Sequence, residues 1–192
     1  ILFPLGTWRK TDVTEKTQEI GLTQMTLRDS QDLCFIPRGS DLSYFFARVG
    51  AKSQRGEIRR TNGEKIGEHE GLLIYTIGQR RGVRLPGGPY YVVGLDLERN
   101  TLIVGKKEEV YKRELRVSRV NWLLSVKPTL PFQATVQVRY HHQASKATIY
   151  SAGDDKLKIE FFTPQFAITP GQAAVIYKDE EVLGGGVIEE AW

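Results

Sequence analysis

Cys34 is the single cysteine of the chain, and no other residue stands out as a nucleophile. A cysteine reacts through its thiolate, and Arg28 and Arg38, which flank Cys34 in sequence, could lower its pKa if they fold toward the sulfur. Its immediate neighbours Leu33, Phe35 and Ile36 are apolar, and taken alone that setting favours an inert packing role. The three histidines, His69, His141 and His142, have no metal-ligand spacing with one another or with Cys34, so they read as structural or surface residues. Gly67-Glu68-His69-Glu70-Gly71 lacks the second histidine of a zinc-binding helix, and its two glycines argue against a helix at all. Gly184-Gly185-Gly186 looks like a phosphate-cradling loop, but too few residues follow for a helix, so a close strand contact at a barrel seam is expected instead. Two segments suit nucleic acid better. Thr76-Ile77-Gly78-Gln79-Arg80-Arg81-Gly82 sets two arginines and an amide between glycines, a good phosphate-facing loop. Arg139-Tyr140-His141-His142-Gln143 mixes cation, aromatic and amide donors, a composition that stacks on and hydrogen-bonds unpaired bases.

The charge pattern agrees with such a partner. The net charge is only +4, but residues 49–120 hold fifteen Lys and Arg against nine Asp and Glu, while the segments on either side are near balance. A clustered surplus of cations is the footprint of a polyanion-binding face, although with so small an excess a solvated surface is the favoured explanation before any motif is considered. Hydrophobic residues at 40% and aromatics at 10% exclude a disordered or fibrous chain. No apolar run is long enough to span a bilayer, and no signal peptide is visible. One cysteine excludes an internal disulfide framework and suits a reducing cytosol, so a cytoplasmic location is expected. The opening Ile1-Leu2-Phe3-Pro4-Leu5-Gly6, without an initiator methionine, predicts a piece of a longer protein.

These residues need elements to position them. Residues 11–21 and 41–49 read as short helices, the second with Leu42, Phe45, Phe46 and Val49 on one face. Leu33-Cys34-Phe35-Ile36 between them reads as a buried strand stopped by Pro37. From residue 53 onward short β-prone runs alternate with turn signals. Strands are expected at 72–77, 90–95 and 101–104, with an Asn62-Gly63 hairpin. A basic connection over 111–119 leads to six further strands at 120–124, 132–140, 147–150, 157–162, 173–177 and 182–188, enough for a closed barrel.

Several of these stretches together resemble, in order and spacing, the tRNA-specific 2-thiouridylase (MnmA/TrmU) family. They are Phe3-Pro4-Leu5-Gly6, Asp29-Ser30-Gln31 with Cys34-Phe35-Ile36, Gly67-Glu68-His69-Glu70-Gly71, the loop from Tyr75 to Gly82, Tyr90-Tyr91-Val92-Val93, Arg139-Tyr140, Thr169-Pro170-Gly171-Gln172-Ala173-Ala174-Val175 and Gly184-Gly185-Gly186-Val187-Ile188. The resemblance implies an enzyme that replaces the C2 oxygen of the wobble uridine of tRNA by sulfur. Such enzymes use ATP, with magnesium, to adenylate that oxygen, and a cysteine persulfide then delivers sulfur. Cys34 matches the family's persulfide-bearing cysteine, and Arg139, Tyr140 and Gln172 match residues that contact tRNA. Arg80 and Arg81 are added from charge alone. The implied partners are the tRNA anticodon stem-loop and a sulfur donor such as a cysteine desulfurase or sulfur relay protein. The implied fold is mainly β with a short α-helical N-terminal segment. Residues 1–50 form the tail of the catalytic domain with the cysteine loop, 51–115 a small SH3-like β-barrel or roll, and 116–192 a six-stranded translation-factor-like β-barrel. The family's ATP-binding loop, its acid/base aspartate and its partner cysteine have no counterpart in the sequence, so ATP would bind a preceding domain. Asp32 stands where glycine is common, a change expected to be tolerated. His141 stands where another basic residue is usual, which would alter RNA affinity slightly. The competing reading is a non-catalytic RNA-binding β-barrel module in which Cys34 only packs.

Overall fold

A computed structural model describes residues 4–22, 42–51, 53–83, 85–140 and 142–192. Cys34 and its expected strand, Arg28, Arg38 and His141 lie outside the described residues. The chain divides into two units, residues 1–51 and 52–192.

The first unit contains two short helices, α1 (Lys10–Glu19) and α2 (Leu42–Arg48). Asp12 in the first turn of α1 accepts a hydrogen bond from the Arg9 amide at 3.3 Å, which satisfies one of the amides a helix start leaves open. Both helices stop short of glycines in the left-handed region, Gly21 (φ 78°) and Gly50 (φ 71°). In α2 the rings of Phe45 and Phe46 meet edge to face at 5.7 Å. Val49, expected on the same buried stripe, is 59% exposed because the helix ends at Arg48 and Val49 falls in the closing turn.

The second unit begins with a four-stranded mixed sheet of β1 (Gly56–Arg60), β2 (Lys65–His69), β3 (Tyr91–Asp96) and β4 (Thr101–Gly105), in the order β2-β1-β4-β3. The Asn62-Gly63 turn joins β1 to β2, with the Glu64 amide donating to Asn62 Oδ1 at 3.0 Å. β1 pairs with β4 in parallel and the other pairs are antiparallel. Ile58, Val92, Leu102 and Val104 form the core of the sheet. The strand expected at 72–77 is instead a 3₁₀ turn, Leu72–Ile74, leading into an irregular loop. Leu72 and Tyr75 both pack on the sheet core, while Leu73 and Ile74 are exposed. A spacing of three matches the 3₁₀ repeat, not the alternation of a strand.

A second 3₁₀ turn, Lys107–Val110, leads into a closed barrel. Its strands are β5 (Tyr111–Trp122), β6 (Phe132–Gln137), β7 (Ser145–Ser151), β8 (Leu157–Phe166), β9 (Ala173–Lys178) and β10 (Glu181–Ala191), in the order β10-β5-β8-β7-β6-β9. Every neighbouring pair is antiparallel. Leu115, Val117, Ile149, Ile159, Phe161, Ile176 and Ile188 fill the interior. The basic connection expected over 111–119 is the first part of β5. Leu115 and Val117 point inward there, and the charged side chains alternate outward. Arg119, at φ 51°, is an extra residue opposite β10, where the register slips between Gly185 and Val187. That bulge moves the inward positions to Val120 and Trp122 and hides the strand from a period-two reading.

The glycine run lies inside β10. A Cβ on Gly184 would come within 2.5 Å of the Asn121 carbonyl oxygen, and one on Gly186 within 2.5 Å of the Ser118 carbonyl oxygen. The run is therefore the close strand contact expected at a barrel seam. No helix among the described residues is long and apolar enough to cross a membrane.

Candidate nucleic-acid interface

Antiparallel closure sends the loops of the barrel alternately to its two ends. The β6–β7 loop (residues 138–144) and the β8–β9 loop (residues 167–172) emerge at one end. The β7–β8 and β9–β10 turns emerge at the other. Charge follows this division. The turns carry Asp154, Asp155, Asp179 and Glu180 with Lys156, and the two loops carry Arg139 and no acid. The two loops are thus able to take a polyanion.

The loops at the Arg139 end are cross-linked by polar side chains. Arg139 Nη2 donates to the Ala167 carbonyl at 2.8 Å, and Thr169 Oγ1 donates to the same oxygen at 3.0 Å. Gln137 Nε2 donates to the His142 carbonyl at 2.8 Å, and Tyr177 donates its hydroxyl to Gln137 Oε1 at 3.3 Å. Gln165, 6% exposed, accepts from Ser145 Oγ at 3.0 Å and donates to the Thr163 carbonyl at 2.6 Å. Such a network orders the loop that carries Arg139 before any ligand arrives.

The sequence-derived candidates fall as follows. Arg139 is half-buried at its guanidinium bond to the β8–β9 loop. Tyr140, next to it, is 84% exposed. Gln172 closes the β8–β9 loop, where its carbonyl accepts from the Ile188 amide at 2.8 Å. Its side-chain Oε1 is buried with no hydrogen-bond partner among the described residues, as is His142 Nδ1. An unsatisfied buried acceptor is a group for which a ligand donor would be favourable. The barrel thus brings Arg139, Tyr140 and Gln172 to one end. Cys34 lies outside the described residues. His69 is a buried structural residue, 2% exposed, with Nε2 at 3.1 Å from the Asn100 carbonyl oxygen.

Arg80 and Arg81 sit in the loop after the 3₁₀ turn Leu72–Ile74 and line an open depression with Gln79, Gly82 and Val83. The loop is tied to β3, with the Gly78 amide donating to the Val92 carbonyl at 2.8 Å and the Val92 amide to the Gln79 carbonyl at 2.9 Å. At its start, burial pushes the Tyr75 hydroxyl above its ordinary value, with a smaller contribution from Glu70, so that ring stays neutral.

Sequence reasoning missed two members of this end, Gln165 and Ala167. Gln165 looks like a surface glutamine in a polar stretch, and nothing local marks Ala167 as the acceptor for Arg139.

Comparison with known proteins matches three domain families along the chain. Residues 1–38 match the tRNA methyl transferase HUP domain, residues 44–106 the tRNA methyl transferase PRC-barrel domain, and residues 112–188 the aminomethyltransferase beta-barrel domain. The chain is 40% identical over 190 residues to the tRNA-specific 2-thiouridylase MnmA of Nostoc punctiforme, covering 98% of this chain and 54% of that protein. It is 42% identical over 191 residues to MnmA of Microcystis aeruginosa, covering 99% and 54%. With MnmA of Symbiobacterium thermophilum it shares 41% identity over 191 residues, covering 99% and 49%. The chain spans about half the length of these relatives. With all three domain families in order and about two residues in five shared along nearly its whole length, the chain belongs to the MnmA family.

Proposed function

We propose that the chain is the tRNA-binding and sulfur-carrying part of a tRNA 2-thiouridylase. In this reading Cys34 receives sulfane sulfur as a persulfide from a donor protein and presents it to C2 of the wobble uridine. The thiolate attacks the donor's sulfane sulfur and releases the donor's thiolate; the terminal sulfur of the persulfide then attacks C2 as the activated oxygen leaves, and a second thiol, the family's partner cysteine, attacks Cys34 to form a disulfide and leave the sulfur on C2. Arg139, Tyr140 and Gln172 hold the anticodon stem-loop: the arginine by phosphate or base-edge contacts, the tyrosine by stacking, and the glutamine through its side-chain amide. The modules follow the family's order, with residues 1–50 ending the catalytic domain, 51–115 forming the small β domain and 116–192 the barrel domain.

The observation that carries the RNA-binding part is the pair of acid-free loops at one end of the barrel, which carry Arg139, Tyr140 and Gln172 and are cross-linked through Ala167. The residues described do not fit ATP. Their one glycine-rich run lies within β10, with its Cβ positions facing backbone, and no adenylation step is assigned to them.

In the full-length protein, Cys34→Ser is expected to reduce 2-thiouridine in digested tRNA to background, read by mass spectrometry, while tRNA affinity stays unchanged. Normal 2-thiouridine in that variant would overturn the sulfur-carrying role and favour the non-catalytic RNA-binding module.

A further inference from the structure

We propose that the loop of residues 76–82 is a pre-formed phosphate clamp, in which Arg80 and Arg81 grip the RNA backbone next to the nucleotides held by the barrel loops. This rests on the RNA-binding reading above and adds to it a division of labour between two parts of the molecule.

The first support is the state of the two arginines. Arg55, Arg59, Arg60, Arg99 and Arg116 each pair with a glutamate or aspartate. Arg80 and Arg81 are exposed, and neither side chain has an ion pair or hydrogen bond among the described residues. Two adjacent unneutralised guanidiniums in an acid-free loop form a bidentate site for phosphodiester oxygens.

The second support is the way the loop is held. The Gln79 side chain spans it, accepting from the Thr76 amide at 3.0 Å through Oε1 and donating to the Arg81 carbonyl at 2.8 Å through Nε2. Gln79 thereby acts as a positioning residue, and its backbone is fastened to Val92 of β3 as well. A loop already fixed in this way loses little conformational entropy when it binds.

The third support is the join to the barrel. Gly78, at φ 85°, lies so close to the β8–β9 region that a Cβ there would fall 2.5 Å from Ala167 Cβ and 3.1 Å from the Phe166 ring. Ala167 in turn accepts the guanidinium of Arg139. One residue therefore seats both the double-arginine loop and the arginine of the β6–β7 loop. This registers Arg80 and Arg81 against Arg139 and Tyr140 along one strand of RNA.

The test is the affinity of the full-length protein for a labelled tRNA transcript measured against salt concentration. Each phosphate contact contributes about 0.7 to 0.9 to the slope of log affinity on log salt. Arg80→Gln with Arg81→Gln is expected to flatten that slope by about 1.4 to 1.8 and to converge with wild type at high salt. Each single variant is expected to give about half of that change. Tyr140→Ala is expected to weaken binding at every salt concentration with the slope unchanged. Lys178→Gln, at the opposite end of the barrel, controls for net charge and is expected to leave the slope alone. A wild-type slope in the double variant, with wild-type thermal stability, overturns the clamp and leaves RNA binding standing. Wild-type protein that binds tRNA without salt dependence, or not at all, overturns the RNA-binding reading itself.

Discussion

At the scale of single residues, several carboxylates hold the fold together through positions that a sequence does not mark. Glu109 accepts hydrogen bonds from the Thr61 hydroxyl and from the Lys106 amide at 2.5 Å. It thereby fastens the β1–β2 turn to the 3₁₀ turn that leads into the barrel. The Thr61 bond, then the Lys106 amide, holds its carboxyl below the ordinary value of 4.5. A carboxyl lowered in the folded state favours folding above its unfolded pKa, and that contribution disappears as pH falls through the folded value. Glu109→Gln is therefore expected to lower the thermal midpoint at pH 7, and the gap to wild type should close as the pH drops below about 4. A gap that stays constant down to acid pH would show that the charge of Glu109 contributes nothing. The sequence identified Arg139 and Tyr140 as an RNA-type cluster because cation and aromatic lie side by side. It could not identify Ala167, whose role depends on its carbonyl and on a φ of 54°, neither of which a side-chain type encodes.

At the scale of elements, the glycine run in β10 sets how closely the barrel closes. Gly186 lies against the Ser118 carbonyl and Val117 Cγ1, where an added Cβ would sit 2.5 Å from each. Gly186→Ala is expected to destabilise by about 1 to 3 kcal/mol through overpacking, visible as a lower denaturant midpoint. A neutral or stabilising effect would mean that β5 and β10 can separate at no cost. Strand boundaries were legible where alternation was clean, as in β7 and β9, whereas the strand expected over 132–140 ends at Gln137 and leaves Arg139 and Tyr140 in the loop. β5 was not, because the bulge at Arg119 shifts the inward positions by one, and its outward arginines read as a basic connection. The turn Leu72–Ile74 misled for a related reason. Its apolar residues satisfy the composition of a strand, but only those three apart reach the core.

At the scale of the whole 52–192 unit, sheet and barrel share an aromatic joint. The Phe166 ring meets Tyr111 at 5.3 Å and Tyr91 at 6.3 Å, both edge to face, and Gly78 packs on the same ring. Phe166→Ala is expected to cost about 2 kcal/mol, less than a fully buried phenylalanine because the residue is half-buried. It should also split a single calorimetric unfolding transition into separate steps for sheet and barrel. One unbroken transition in that variant would mean that the joint does not couple them. The gathering of Asp154, Asp155, Asp179 and Glu180 belongs to this scale as well, since the β7–β8 and β9–β10 turns reach one end only through the antiparallel order of the closed barrel.

By itself the sequence determined what is written in short windows: β-rich texture, turn positions, a basic middle third, a lone thiol and a run of motifs specific enough to indicate the family. These follow from local sterics, alternation and composition, which neighbouring residues settle among themselves. The tertiary structure alone decided which loops share an end of the barrel, that Ala167 receives Arg139 and abuts Gly78, and that the Gln172 side-chain oxygen is buried. Those contacts join residues far apart in the chain, so they exist only once six strands close in one order. Closure depends on the packing of the whole core rather than on any segment.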